Sequence, residues 1–474
     1  MLSSCIRRRL AVAVFCATAA ASSPSAIAAN WLMLQGTEPP KAKPHNFFGF
    51  IQPAVVSDNG PALSGLAGAG AANNGKYVAN NLVGPALKEQ EDVLIQRFFF
   101  GARGQLTDKI NYFALADAGD SASNFAALGG RKRLFTPTDL SLTFNHIPGA
   151  RVRVGLTRNP GAEEVTQPAQ ISDYIEFTDF ANRNILERFT TGAIQPNGSP
   201  AAPALGSPVN QGYAYSIFRD WGVQVFDSFK QGAWDLSYAV KVGRGEAPWS
   251  ESTGDFDPEL YLFASAEYDL PGGKGPRKNG VKLYGWHQQG KRDFESDATG
   301  RKYDRIQQGV GFRALGKLFG SSLKHRVSGE YNQANGMIFT ATEGNVKGGN
   351  LQYAAEKGNK ARGWYLDYGI FPFQDEKWQF DVRYDRNDLL YATSANVNPG
   401  NKRKIQAWTF GVTHHFTPAT KLTLNYTARD AKAPNDYVAV PGFAAGAAAT
   451  TTANVRKIVD TLDDRIALQF TWIF

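Results

Sequence analysis

The residues best placed to do chemistry are four arginines. Arg97 and Arg103 fall on one parity of an extended segment, and Arg151 and Arg153 on one parity of another, so each pair points to a single face. A guanidinium stays charged at physiological pH and offers forked donors that match oxyanions. Just beyond the second pair, the run 159–218 carries Glu163, Glu164, Asp173, Glu176, Asp179 and Glu187 against Arg183 and Arg188. Folded against the arginine wall, such an acid-rich loop would set a transverse field across a narrow place and favour anions modestly. Gly101 and Gly155 share the arginines' parity and would let the loop come close. The plainer reading is that the arginines solvate the wall or pair with the loop to fix it, and the spacing leaves both open.

Covalent and metal chemistry find little support. Cys5 and Cys16 both lie near the start of the chain, so the rest has no thiol, disulfide or cysteine-based metal site. His414 and His415 are adjacent and would point to opposite faces of a strand, away from any shared metal. Gly311 to Lys317 imitates a phosphate loop, but Leu318 stands where Ser or Thr is required. No Ser/His/acid set can be picked out. The expectation is a protein without cofactor, metal or enzymatic activity.

The elements that must position the arginines are strands. At the end of the chain Ile466, Leu468, Phe470, Trp472 and Phe474 alternate with Arg465, Ala467, Gln469 and Thr471. About ten residues is what a tilted strand needs to cross a bilayer, and Trp472 and Phe474 stand where an interfacial aromatic girdle would lie. Sixteen such segments can be read: 47–56, 93–106, 109–117, 138–147, 150–158, 219–229, 232–244, 258–270, 279–291, 302–316, 321–334, 360–371, 376–387, 401–416, 419–430 and 463–474. In 376–387, Trp378, Phe380, Val382 and Tyr384 alternate with Gln379, Asp381, Arg383 and Asp385. The charged set must face inward, because one charge at the bilayer midplane costs ~2–4 kcal/mol. Segment 109–117 leaves its faces open, since Ala and Tyr occur on both parities.

Short turns alternate with long Gly-, Ala- and Asn-rich links, the asymmetry of periplasmic turns and extracellular loops. An even count with both ends on one side closes a ring and leaves no strand edge in lipid. The fold class is therefore all-β, a transmembrane antiparallel barrel of about sixteen strands. The longest link, 159–218, is the candidate constriction loop, and Ile171, Tyr174, Ile175 and Thr178 suggest a helical turn or two in it. The Ala- and Thr-rich run 444–453 reads as surface loop.

Ahead of the barrel, Arg7, Arg8 and Arg9, an apolar run and Ala26-Ile27-Ala28 form a secretory leader over 1–28. Residues 29–46, with Pro39, Pro40 and Pro44, read as a short periplasmic tail, and 47–474 as the barrel. The formal charge is +8, of which the leader's arginines supply three, a mild excess that excludes a nucleic-acid binder. Additional inward bases (Lys241, Lys282, Arg305, Arg313, Lys324, Arg326, Arg383, Lys421, Arg429, Arg465) are partly matched by Glu267, Glu330, Asp367, Asp381 and Asp385.

Some segments resemble a known family. Leu140 to Phe144, a Pro-Gly turn, the run Arg151 to Pro160 (RVRVGLTRNP), then Arg219-Asp220-Trp221-Gly222-Val223-Gln224 and Trp234-Asp235-Leu236-Ser237-Tyr238 resemble the phosphate-selective porin O/P family of Gram-negative outer membranes. The resemblance implies a homotrimer of sixteen-stranded channels in outer-membrane lipid, with an inward-folded third loop and a pore favouring anions, phosphate among them. The acid-rich loop departs from what a dedicated phosphate path needs, a ladder of bases with few competing carboxylates. The reading is an outer-membrane porin passing small hydrophilic or anionic solutes by diffusion. A structural sheath or docking partner in an envelope complex, and an outer-membrane hydrolase, stay open as alternatives.

Overall fold

The computed structural model describes residues 30–39, 41–75, 91–120, 134–186, 188–189, 213–214, 218–245, 257–273, 275–292, 302–342, 350–354, 356–394, 397–439 and 445–474. The expected leader lies outside them. Sixteen antiparallel strands close into one barrel. They are β1 (Asn46–Asp58), β2 (Glu91–Thr107), β3 (Ile110–Asp117), β4 (Thr136–Phe144), β5 (Arg151–Arg158), β6 (Arg219–Gln231), β7 (Trp234–Gly243) and β8 (Glu259–Asp269). The second half comprises β9 (Gly280–Arg292), β10 (Tyr303–Gly316), β11 (Lys324–Asn335), β12 (Lys360–Phe371), β13 (Trp378–Ala392), β14 (Arg403–Thr417), β15 (Thr420–Lys432) and β16 (Arg465–Ile473). Each pairs with its neighbour in sequence, and β16 returns to β1 with Asp58 opposite Arg465 and Phe50 opposite Ile473. Phe474 extends the seam by exchanging two 3.0 Å backbone hydrogen bonds with Gly49. A side chain at Gly49 would collide with the Phe474 ring, so the ring fixes that glycine.

Alternation decides the faces as the charge argument requires. On β13 Gln379, Asp381, Arg383 and Asp385 are buried inside while Trp378 and Phe380 are exposed outside. The same holds on β15, where Thr423 and Asn425 face in and Leu424 and Tyr426 face out. β3 turns Asn111, Phe113, Leu115 and Asp117 inward, leaving Tyr112, Ala114 and Ala116 on the outside. The exposed outer residues include Val223, Val310, Leu366, Trp408, Phe410, Leu424, Ile466 and Leu468. That apolar belt is a surface for hydrocarbon. No described helix is long and apolar enough to cross a membrane.

Two elements outside the barrel were not anticipated. Ile338–Thr342 pairs with Asn350–Ala354 as a hairpin beyond β11. The helix Ala445–Val459 occupies much of the run read as surface loop, and its Ile458 packs with Leu63 and Leu66 of the long β1–β2 link. Alanine is the strongest helix former, and Ala448, Thr452, Val455 and Val459 recur at helical spacing to give the helix one buried face.

Candidate pore constriction

The link from β5 to β6 turns into the lumen. Its described part contains one turn of α-helix (Glu163–Thr166), a 3-10 turn (Ala169–Ile171) and a short π-helical turn (Ala181–Ile185). Pro160 and Pro168 punctuate these turns because proline cannot continue a helix. Arg158, the last residue of β5, donates to the carbonyls of Thr166 (2.8 Å) and Gln167 (3.0 Å) and so satisfies orphan acceptors at the end of the first turn. Ile175, Phe180, Ala181, Ile185 and Leu186 are buried, as expected of a segment packed inside a barrel.

Five of the six predicted carboxylates of the loop sit on a cation, and the sixth, Glu187, lies outside the described residues. Glu163 accepts from Lys282 of β9 at 2.9 Å, and Glu164 pairs with Arg383 of β13 at 3.2 Å. Asp173 meets Arg326 of β11 at 2.6 Å and takes a 2.8 Å bond from Gln379. Glu176 meets Arg465 of β16 at 2.8 Å. Asp179 pairs within the loop with Arg183 at 2.7 Å and accepts from Asn387 of β13 at 2.7 Å. Arg326 also reaches Asp367 (2.7 Å) and Asp381 (2.8 Å), and Arg465 holds Asp58 (2.8 Å) beside Arg429. The carboxylates thus pin the loop to β9, β11, β13 and β16, and further hydrogen bonds join it to β1, β2 and β5.

These environments separate two of the carboxyls. Burial pushes the Glu164 carboxyl above the ordinary value, and Arg383 with the Thr178 hydrogen bonds offsets this only in part. Burial also works to raise Asp173, but Arg326 and Lys421 outweigh it and hold the group below its ordinary value. A polar cleft remains between the loop's Glu164 and Tyr174 and the wall's Arg313, Arg326, Tyr365 and Arg383.

The four wall arginines do not form one opposing face to these acids. Arg97 alone touches the loop, donating to the Ile175 carbonyl (3.3 Å) and to Gln52 (3.0 Å) with the Phe177 ring 5.5 Å away. Arg103 and Arg153 hold residues 30–38 instead, and Arg151 pairs with Asp227. Gly101 and Gly155 serve strand contacts: a Cβ at either would strike the carbonyl of Ala114 or Leu140 on the neighbouring strand. The glycine that admits the loop is Gly363 on β12, where an added Cβ would lie 2.6 Å from Phe180 Cβ. The bases that receive the loop, Lys282, Arg326, Arg383 and Arg465, were legible as inward residues. Parity names a face, however, and not which part of the wall the loop will meet.

Among the described residues no group of histidines and acids could hold a metal. His414 packs at a tilt against Trp378 (ring centroids 4.4 Å) while His415 turns toward Gln379 (3.4 Å), so the two histidines do part to opposite faces.

No family model and no curated protein matches the chain. Among solved structures it is similar to the anion-selective porin from Comamonas acidovorans, with a TM-score of 0.50 at 12% identity, over 92% of this chain and 100% of that one. OprB of Pseudomonas putida matches at a TM-score of 0.48 and 9% identity (91% and 94% covered), and the channel DcaP of Acinetobacter baumannii at 0.46 and 12% (93% and 100%). At such identities the likeness is one of fold. A closed sixteen-stranded barrel with an apolar belt and a polar interior belongs in the outer membrane of a Gram-negative cell, and that is where this chain resides.

Proposed function

We propose that the chain is a porin, a water-filled channel through which small hydrophilic solutes diffuse passively, with preference for anions, phosphate among them. The observation that carries the anion preference is an imbalance in how the lumen's charges are matched. The described loop carboxylates are each paired with a cation, whereas Arg97 and Arg153 donate to uncharged oxygens. A donor on a neutral oxygen keeps its positive field, and these positions add to the excess of inward bases over inward acids read from the sequence. Arg153, 1% exposed, acts on a passing anion through its field and not by direct contact, which favours anions without capturing them.

Assembly as a homotrimer is part of this reading and follows from the family resemblance of the strands around Arg151 and Arg219. The test is the reversal potential of the purified protein in a planar bilayer under a KCl gradient, repeated with millimolar phosphate. Chloride preference and partial block of the chloride current are expected. Cation preference overturns the anion reading, and absence of block removes phosphate from the solutes.

A further inference from the structure

Residues 30–38, which precede the barrel in sequence, lie inside it. Asn30 starts a single helical turn, Trp31–Leu34, by accepting from Leu32 N at 3.2 Å, and its amide donates to Ser237 of β7 at 2.8 Å. Trp31 is 2% exposed and meets the Phe263 ring of β8 edge-on at 5.0 Å, while Leu32 is 0% exposed. Both belong to one apolar cluster with Phe226 and Ala239 of the wall and Val165 and Phe180 of the loop. Gln35 donates to Asp139 of β4 at 3.3 Å. The segment therefore spans the inner wall from β2 to β8 close to the short-turn, periplasmic end.

Its backbone is held by the arginines that would otherwise face solutes. Arg153 donates to the carbonyls of Leu32 (3.1 Å) and Gln35, with its guanidinium 4.1 Å over the Phe226 ring. Arg103 donates to Leu34 O (2.8 Å) and Thr37 O (3.3 Å) and pairs with the Glu38 carboxylate. Arg151, paired to Asp227, reaches Met33 Sδ at 3.7 Å. Forked donors presented to a carboxylate and a row of carbonyls are the arrangement a small carboxylate or oxyanion solute would use. The connection onward is fixed at one place: Gln105 N donates to Lys43 O (3.4 Å), and Pro44 O lies where a Cβ on Gly104 would have to be. The segment before that point is joined to the wall only by noncovalent contacts.

We propose that residues 30–38 are a tethered plug, pivoting near Pro44, whose Glu38 carboxylate and carbonyls occupy an oxyanion-binding strip made by Arg103, Arg151 and Arg153. With the plug in, the strip is covered and the periplasmic half of the lumen narrowed. With it withdrawn, solute carboxylates or phosphates take the strip. This rests on the channel reading above and adds to it the identity of the gate.

The chain from residue 30 onward has no cysteine, so Asn30→Cys with Ser237→Cys introduces a single lockable pair. A second protein, Trp31→Ser with Leu32→Ser, loosens the plug without touching the wall. Single-channel conductance and chloride-to-potassium permeability are measured for both, with the lock oxidised and then reduced. Expected are at least a threefold lower conductance in the oxidised lock, recovered on reduction, and a conductance and chloride preference at least twofold above the parent in the loosened protein. Adding Arg103→Met and Arg153→Met to the loosened protein should abolish its extra chloride preference and keep its conductance. An oxidised lock, verified by mass, that conducts like its reduced form, together with a loosened protein that behaves as the parent, overturns the plug and leaves the porin reading standing. Conductance that follows the lock in a pore preferring potassium throughout supports the gate and overturns the anion preference instead.

Discussion

The pairing of Glu164 with Arg383 predicts two selectivity changes of opposite sign from neighbouring positions. Glu164→Gln removes a loop carboxylate and leaves Arg383 with Asp385 (3.8 Å) and the Glu176 carbonyl (3.1 Å), so the cleft gains one net positive charge. Arg383→Gln does the reverse, leaving Glu164 on Thr178 alone and freeing Asp385. A unit charge roughly 7 Å from a passing ion in water is worth about 0.6 kcal/mol, about a factor of 2.7 in local concentration and in opposite directions for the two ions. The chloride-to-potassium ratio should then move about sevenfold at low salt, falling to about threefold near 0.1 M because the screening length there is about 10 Å. The assay is reversal potential at several salt concentrations. Because burial already holds the Glu164 carboxyl above the ordinary value, acidification protonates it ahead of ordinary carboxylates. Losing that negative charge raises chloride preference as pH falls, and the Glu164→Gln protein should lack this part of the rise. Shifts of the same sign from both substitutions, or none from either, would refute the claim that this pair borders the path of the ions.

Two further expectations concern the scaffold. Gly363→Val should push Phe180 and the π-helical turn off β12, costing ~1–3 kcal/mol by overpacking, read as a lowered midpoint of thermal unfolding in detergent together with altered single-channel conductance. Leu366→Arg, half-exposed in the middle of the outer face of β12, should cost ~2–4 kcal/mol in denaturant unfolding from bilayers, while Leu366→Ala should cost distinctly less; equal costs would mean that this face does not meet lipid.

The barrel was legible because its rule is local. One residue in two must be apolar where lipid begins, and Trp378 to Asp385 or Arg465 to Phe474 state that rule within a single strand. Segment 360–371 is found as Lys360–Phe371, whereas 376–387 runs on to Ala392 because Leu389 and Leu390 are buried at its far end. The lumen was less legible, since its contacts join residues far apart in sequence. Nothing near Glu163 announces Lys282, and nothing near Asp173 announces Arg326. The tail was misjudged for a similar reason. Trp31, Leu32 and Met33 are an apolar triplet in a proline-rich setting, and only Phe226, Phe263 and Arg153, brought together by closure of the barrel, show where that triplet goes.

The two segments inside this barrel are fastened by the same chemistry used with opposite emphasis. The loop brings carboxylates to the wall and so cancels Lys282, Arg326, Arg383 and Arg465, whereas the tail cancels Arg103 through Glu38 and brings only carbonyls to Arg153. A buried ion pair contributes little net stability yet is costly to break, which suits an anchor that must hold one position under flow. A guanidinium on carbonyls keeps its charge and can trade those oxygens for a solute's. Selectivity in this lumen therefore depends on which bases meet neutral oxygen, and the acid-rich composition of the loop, which from the sequence alone departs from a dedicated phosphate path, describes how the loop is held in place.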